Sequence, residues 1–181
     1  MPFFQVKLLH LATPCSYYVF AMPLITAILH TCNDGLRLGR ALETLRPCDE
    51  ILVLDHGSSD HTLRVAREYA AIVHVLGPDQ SARDAILTAR HSWLLVILPS
   101  ESITEGLEAE LFEWMLRSED DVASIPACSV FLREETGEGW SETRPTTRLI
   151  PRNWDAWEGN FPRHDPRGPV LQGDLLRFRQ P

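Results

Sequence analysis

Residues 51–62, Ile-Leu-Val-Leu-Asp-His-Gly-Ser-Ser-Asp-His-Thr, constrain the fold of this chain more than any other stretch. Four apolar residues, with Ile51 and Val53 β-branched, read as a short buried strand. The strand ends at Asp55. A turn through His56, Gly57, Ser58 and Ser59 leads into a helix that Asp60 can cap. A strand that passes directly into a helix is the unit of an α/β sheet, where ligands bind beyond the carboxyl ends of the strands. A carboxylate at that place can hold ribose hydroxyls or a base edge. The same residue types also build plain turns.

The rest of the chain repeats the unit. Met22-Pro23 leads into a first strand at 24–30, followed by an Asn33-Asp34-Gly35 turn in which Asn33 or Asp34 can cap. Leu36, Leu38, Ala41, Leu42 and Leu45 recur at helical spacing, and Pro47 stops that helix. Further helices are expected over 62–70, 81–90 and 105–117, with strands at 72–76 and 93–98. Residues 122–125 and 129–132 read as strands, then helical periodicity disappears. Residues 144–152 and 170–178 read as late strands around an irregular loop. Alternation through residue 117 predicts an α/β three-layer sandwich with a mostly parallel central sheet.

The 181 residues suit one domain, and a net charge of −8 argues against a duplex nucleic-acid partner, which needs a basic face. The four cysteines (Cys15, Cys32, Cys48, Cys128) lack zinc-site spacing and read as reduced thiols. The first 21 residues are apolar but interrupted by His10, Pro14 and Ser16. They are expected to be an extension or a misassigned start; a signal peptide and an ordered element are the other readings.

The order of these pieces resembles the family 2 glycosyltransferases, which have the Rossmann-like GT-A fold. Leu29-His30-Thr31-Cys32-Asn33 stands where the family's first strand ends. Residues 55–62 match its Asp-x-Gly-Ser-Ser/Thr-Asp-x-Thr pattern in full. Ala82-Arg83-Asp84 matches its Ala-Arg-Asn-like helix start, and Trp93 its Trp-led strand. The closest flavour is the bacterial lipopolysaccharide-core glucosyltransferase-like branch. The resemblance spans roughly residues 23–118 and implies a nucleotide-binding part over 22–118 and a short acceptor-side part over 119–181. It assigns a nucleoside-diphosphate sugar, UDP-sugar first, to Thr31, Asn33, Asp55, Gly57 and Ser58, with Arg83 near the phosphates. The same likeness implies a saccharide or lipid-linked acceptor and leaves room for a homodimer; the reduced thiols point to the cytoplasm, with a peripheral place at the inner membrane face as the other reading.

The likeness fails at the metal motif. Counted from Trp93, the two Asp-x-Asp positions fall on Leu98 and Ser100, and neither offers a carboxylate to Mg or Mn. Glu101 is the one acid left to hold such a cation, and it serves equally as a turn cap. The remaining tools for a leaving diphosphate are Arg83, Arg144, Arg148, Arg152, Arg163 and Arg167. Transfer also needs a base. Asp155, Glu158, His164 and Asp165 are candidates, and Arg148-Leu149-Ile150 with His164-Asp165 loosely follows the family's Arg-Leu-Phe and His-Glu region. Family members usually continue past this point, so the acceptor pocket is expected from the late loop or a second subunit. Trp140, Trp154, Trp157 and Phe161 suit sugar stacking or the sealing of the sheet. A noncatalytic nucleotide- or sugar-binding module on the same scaffold is the alternative. A Rossmann-like enzyme of another kind ranks last, because the first loop, His-Thr-Cys-Asn-Asp-Gly, has one glycine.

Overall fold

The computed structural model describes residues 22–77 and 79–179; the N-terminal segment discussed above lies outside them. The first half alternates as expected: β1 (Ile25–Thr31), α1 (Leu38–Glu43), β2 (Glu50–Asp55), α2 (Thr62–Glu68), β3 (Ile72–Val75), α3 (Ala82–Ile86) and β4 (Trp93–Ile97). β5 (Glu101–Ile103), α4 (Glu105–Met115) and α5 (Glu119–Ala123) follow. The second half holds β6 (Cys128–Thr136), β7 (Gly139–Trp140), β8 (Arg144–Pro151), β9 (Trp157–Glu158), β10 (Phe161–Pro162) and β11 (Val170–Arg177).

One sheet runs β3-β2-β1-β4-β8-β6-β11-β5, with β7 on the edge of β6. Its first four strands are mutually parallel. β8 joins antiparallel to β4 and β6, and β11 runs parallel to β6 and antiparallel to β5. β1 and β4 are buried along their whole length, as strands covered on both faces must be. Trp93, Leu95 and Ile97 face one layer with Leu38 and Leu42 of α1, Ala66 of α2, and Leu107 and Leu111 of α4. Leu94 and Val96 face the other, with Ala85 and Ile86 of α3. Along that second face Trp154, Trp157 and Phe161 of the late loop pack on the core where a helix would otherwise lie, so three of the four aromatics offered for sugar stacking seal the sheet.

Several sequence expectations need correction. Residues 122–125 are not a strand. Ser118 and Asp121 form a reciprocal capping box, and α5 begins there with Val122 turned into the core. Two residues of good strand propensity cannot outweigh a satisfied helix start. β1 begins at Ile25, past Met22-Pro23, and α3 ends at Ile86, where the Thr88 hydroxyl donates to the Ala85 carbonyl at 2.6 Å. β5 was not expected. It is three residues long and pairs with β11 at Ile103↔Leu175 and Glu101↔Arg177. Where α4 starts, Thr104 donates its amide to the Asp174 carbonyl at 3.0 Å and accepts the Asp174 amide on its hydroxyl at 3.0 Å. That seat needs Gly173 (φ 90°), because a Cβ there would stand 2.2 Å from the Leu107 nitrogen.

Candidate nucleotide site

β1 and β2 end side by side, with Thr31 in register with Asp55. Asp55 is wholly buried. One carboxylate oxygen accepts the Thr31 hydroxyl at 3.0 Å and the Ser58 hydroxyl; the other accepts the amides of Gly57 at 3.1 Å and Ser58 at 2.9 Å. Gly57, at φ 86°, lets the chain double back so that both amides point at the carboxylate. Burial opposes the charge. The Ser58 hydroxyl and amide, the Thr31 hydroxyl and the Gly57 amide outweigh it, and the Asp55 carboxyl is held below the usual carboxylate range.

A second set of bonds joins the loop after β1 to the loop after β2. Asn33, in the left-handed region at φ 57°, donates its amide to the Ser58 hydroxyl at 2.8 Å and accepts the Ser59 amide on Oδ1 at 2.9 Å. Asp60 accepts the Gly35 amide at 3.0 Å and the Thr62 amide at 2.9 Å. The Asp34 amide donates to the Thr62 hydroxyl at 2.8 Å. Asp60 therefore secures the start of α2 as expected, and it also reaches across to the neighbouring loop. His61, directly before the helix, makes no side-chain cap bond.

Thr31, Asn33, Asp55, Gly57 and Ser58 are thus brought together at the carboxyl edge of the parallel strands. An ionised carboxylate has about four acceptor positions, and the chain's own donors fill all four on Asp55. The Asn33, Gly57 and Ser59 amides are already donated within the loops, so what remains for a ligand at these exposed residues is their carbonyl groups.

The other expected site residues lie elsewhere. Arg83 is exposed on α3, where it donates to the Asp155 carbonyl at 3.0 Å and lies 5.6 Å from the Trp157 ring centre. His164 and Asp165 line a cavity of about 310 Å3 in the late loop with Trp154 and Arg163. The Arg167 guanidinium forks onto Asp165 at 2.9 Å and 2.6 Å, and that side-chain bond, with the Arg167 amide, holds its carboxyl down at about 2. A carboxyl so acidic accepts a proton poorly near neutrality. His164 places Nδ1 3.2 Å from the Thr147 hydroxyl and keeps a second ring nitrogen for a proton.

The positions of a metal motif do not fit a metal. Leu98 and Ser100 carry no carboxylate. Glu101 is wholly buried, and its oxygens accept the Leu98 amide at 2.7 Å, Arg148 at 2.9 Å, and two nitrogens of Arg177 at 3.0 Å and 2.8 Å. Burial and those donors keep a cation from Glu101, while its bond from the Leu98 amide, answered by the Glu101 amide on the Leu98 carbonyl at 2.9 Å, makes it the cap of the turn at 98–101. Among the described residues no cluster of three or more His, Cys, Asp or Glu stands ready for an ion.

Sequence reasoning missed two features of this edge. One is Arg177, which comes into play only because β11 pairs with β5. The other is a histidine pair. His30 Nδ1 and His56 Nε2 stand 3.0 Å apart with their rings stacked at 5.3 Å. Strand alternation could have found it: His56 lies two residues past Leu54, the register partner of His30. Burial, and then the nearby His56, push the His30 pKa from 6.5 down to about 4. Between those values the unfolded chain binds a proton that the folded chain refuses. Stability from this source is complete above about pH 6.5 and is lost as pH falls toward 4, by about 3 kcal/mol in all. Urea melts from pH 7 to 4.5 check it: His30→Gln should flatten the slope, and parallel profiles for the two proteins would rule the effect out.

No family model and no curated protein matches the chain. Solved structures do. The Staphylococcus aureus TarS 1–349 structure superposes with a TM-score of 0.52 at 19% identity, covering 64% of this chain and 37% of that one. Glucosyl-3-phosphoglycerate synthase from Mycobacterium tuberculosis, in complex with Mn2+, uridine diphosphate and glucosyl-3-phosphoglycerate, gives 0.47 at 19% identity, covering 61% of this chain and 44% of that one. The chain therefore spans less than half the length of these structures, and at 19% identity the TarS likeness is one of fold. Parallel strands β3-β2-β1-β4, helices on one face, α3 and the late loop on the other, and the TarS superposition together identify the architecture as the GT-A fold.

Proposed function

We propose that the protein is a glycosyltransferase that moves a sugar from a nucleoside diphosphate, UDP first, to a saccharide or lipid-linked acceptor of the cell envelope or to a small acceptor. The observation that carries this reading is the pair of cross-bonded loops at the ends of β1 and β2, where an open α/β sheet takes its ligand. The full Asp55–Thr62 pattern in the sequence and the glycosyltransferases among the structural neighbours support it. Asp55 acts here as a positioning residue: with Thr31 and Ser58 it fixes the turn, and the exposed residues Asn33, Gly57 and Ser59 meet the nucleotide.

In the transfer, the acceptor oxygen attacks the anomeric carbon. The bond from that carbon to the diphosphate breaks, and the electron pair leaves with the nucleoside diphosphate. The acceptor proton goes to a base, for which His164 is better suited than the Arg167-bound Asp165. No described helix is long and apolar enough to cross a membrane. We place the reaction in the cytoplasm, at the inner membrane face for a lipid-linked acceptor, and a second subunit can complete the acceptor side.

Calorimetric titration with UDP, GDP and their sugars, followed by product analysis, tests the reading. Binding of one diphosphate with donor hydrolysis or transfer is the expected result. Binding of a donor with no turnover would give the noncatalytic module, and no binding of any nucleotide would overturn both.

A further inference from the structure

We propose that this chain meets the diphosphate with guanidinium groups in place of a divalent cation, through a cluster anchored on the buried Glu101. The inference rests on the nucleotide reading above. The cluster stands beside the vacated metal positions: the Phe178 amide donates to the Ser100 carbonyl at 2.9 Å, and the next residue, Glu101, is gripped by Arg148 and Arg177. Arg148 is nearly inaccessible and packs its guanidinium over the Phe161 ring at 4.6 Å. Its Nε has no hydrogen-bond partner among the described residues. Arg177 retains 28% of its side-chain surface and also pairs with Glu134, which Arg144 meets at 3.1 Å.

The charges leave a surplus. Three guanidiniums (Arg144, Arg148, Arg177) face two carboxylates (Glu101, Glu134), a net charge of +1. Glu101 is locked in the interior, but Glu134 is 37% exposed and can turn to water. When it does, Arg177 and Arg144 each gain free N–H donors in the planar fork that suits phosphate oxygens. A cavity of about 360 Å3, whose lining includes Glu134, Glu135, Ser141, Arg177, Phe178 and Arg179, opens beside them, and Glu135 with Arg179 adds one charge of each sign and leaves the surplus unchanged. The arrangement supplies fixed positive charge where a leaving diphosphate needs it, with Glu134 as the displaceable counter-ion.

The test is titration of the whole chain with UDP and with uridine, in EDTA and in Mn. UDP should bind in EDTA, and Mn should change its Kd by less than about twofold. Arg177→Gln should weaken UDP by about tenfold or more and leave uridine unchanged, the size expected for lost charged hydrogen bonds. Glu134→Gln, a half-exposed site that leaves the fold in place, should tighten UDP several-fold by removing the competing charge. UDP binding that needs Mn, or that Glu134→Gln weakens, would overturn the proposal while leaving the nucleotide reading intact. Failure of both UDP and uridine to bind would remove the nucleotide reading and this inference with it.

Discussion

Asp55→Ala is expected to cost about 3–4 kcal/mol of stability, from the loss of a charged acceptor that four donors share. The carboxylate is wholly buried and receives the Thr31 hydroxyl, the Ser58 hydroxyl and the amides of Gly57 and Ser58. Alanine leaves the buried Thr31 hydroxyl without that partner and frees the Gly57–Ser58 turn. Ser58 also receives the Asn33 amide, so the damage spreads to the loop after β1. Urea denaturation measures the effect. Asp55→Asn separates shape from chemistry: its NH2 group faces donors on one side, so it should recover only a small part of the loss. A drop below about 1 kcal/mol for the alanine variant would mean that the Asn33–Ser59 and Asp60–Gly35 bonds hold the loops unaided. The sign with pH follows from the lowered Asp55 pKa: its stabilisation is present above the unfolded carboxylate range and fades as pH falls through the folded value. UDP affinity, measured in cold buffer where the variant stays folded, should fall with the loops it orders.

This edge of the molecule was legible in the sequence because its chemistry is local. Asp55, Gly57, Ser58 and Asp60 lie within six residues and bond mainly to one another and to the loop at 31–35. Their types state the turn, and the apolar run before them states the strand. The parallel half was legible for a related reason: strands buried on both faces read as unbroken apolar runs. What was hidden depends on partners distant in sequence. Glu101 looks like a stray acid after β4 until β11 brings Arg177 back across 76 residues and β8 brings Arg148 across 47. Arg83 looks free for a phosphate until the late loop offers the Asp155 carbonyl 72 residues on. Residues 122–125 show the opposite case: their β propensity is outweighed by the Ser118–Asp121 box, three residues apart, which marks a helix.

Glu101→Leu is the other substitution with a large expected effect, a loss of about 3–5 kcal/mol, because it leaves Arg148 buried without its carboxylate. Arg177 keeps Glu134 and suffers less. Adding Arg148→Met removes the stranded charge and fills similar space against Phe161. The double variant should therefore regain most of the loss, with a coupling of about 3 kcal/mol in a double-mutant cycle. Urea melts of the four proteins give that number, and simple additivity would show that the two side chains act independently. The same cycle separates stability from affinity. Glu101→Leu raises the cluster from three cations against two anions to three against one, so the less stable protein should bind UDP more tightly in EDTA. Arg148→Met lowers it to two against two and should weaken UDP, and the double variant, at two against one, returns to the starting surplus. A purely structural ion pair would make UDP affinity follow folding stability across the cycle. An electrostatic site makes it follow net charge, and the two orders disagree most sharply at Glu101→Leu.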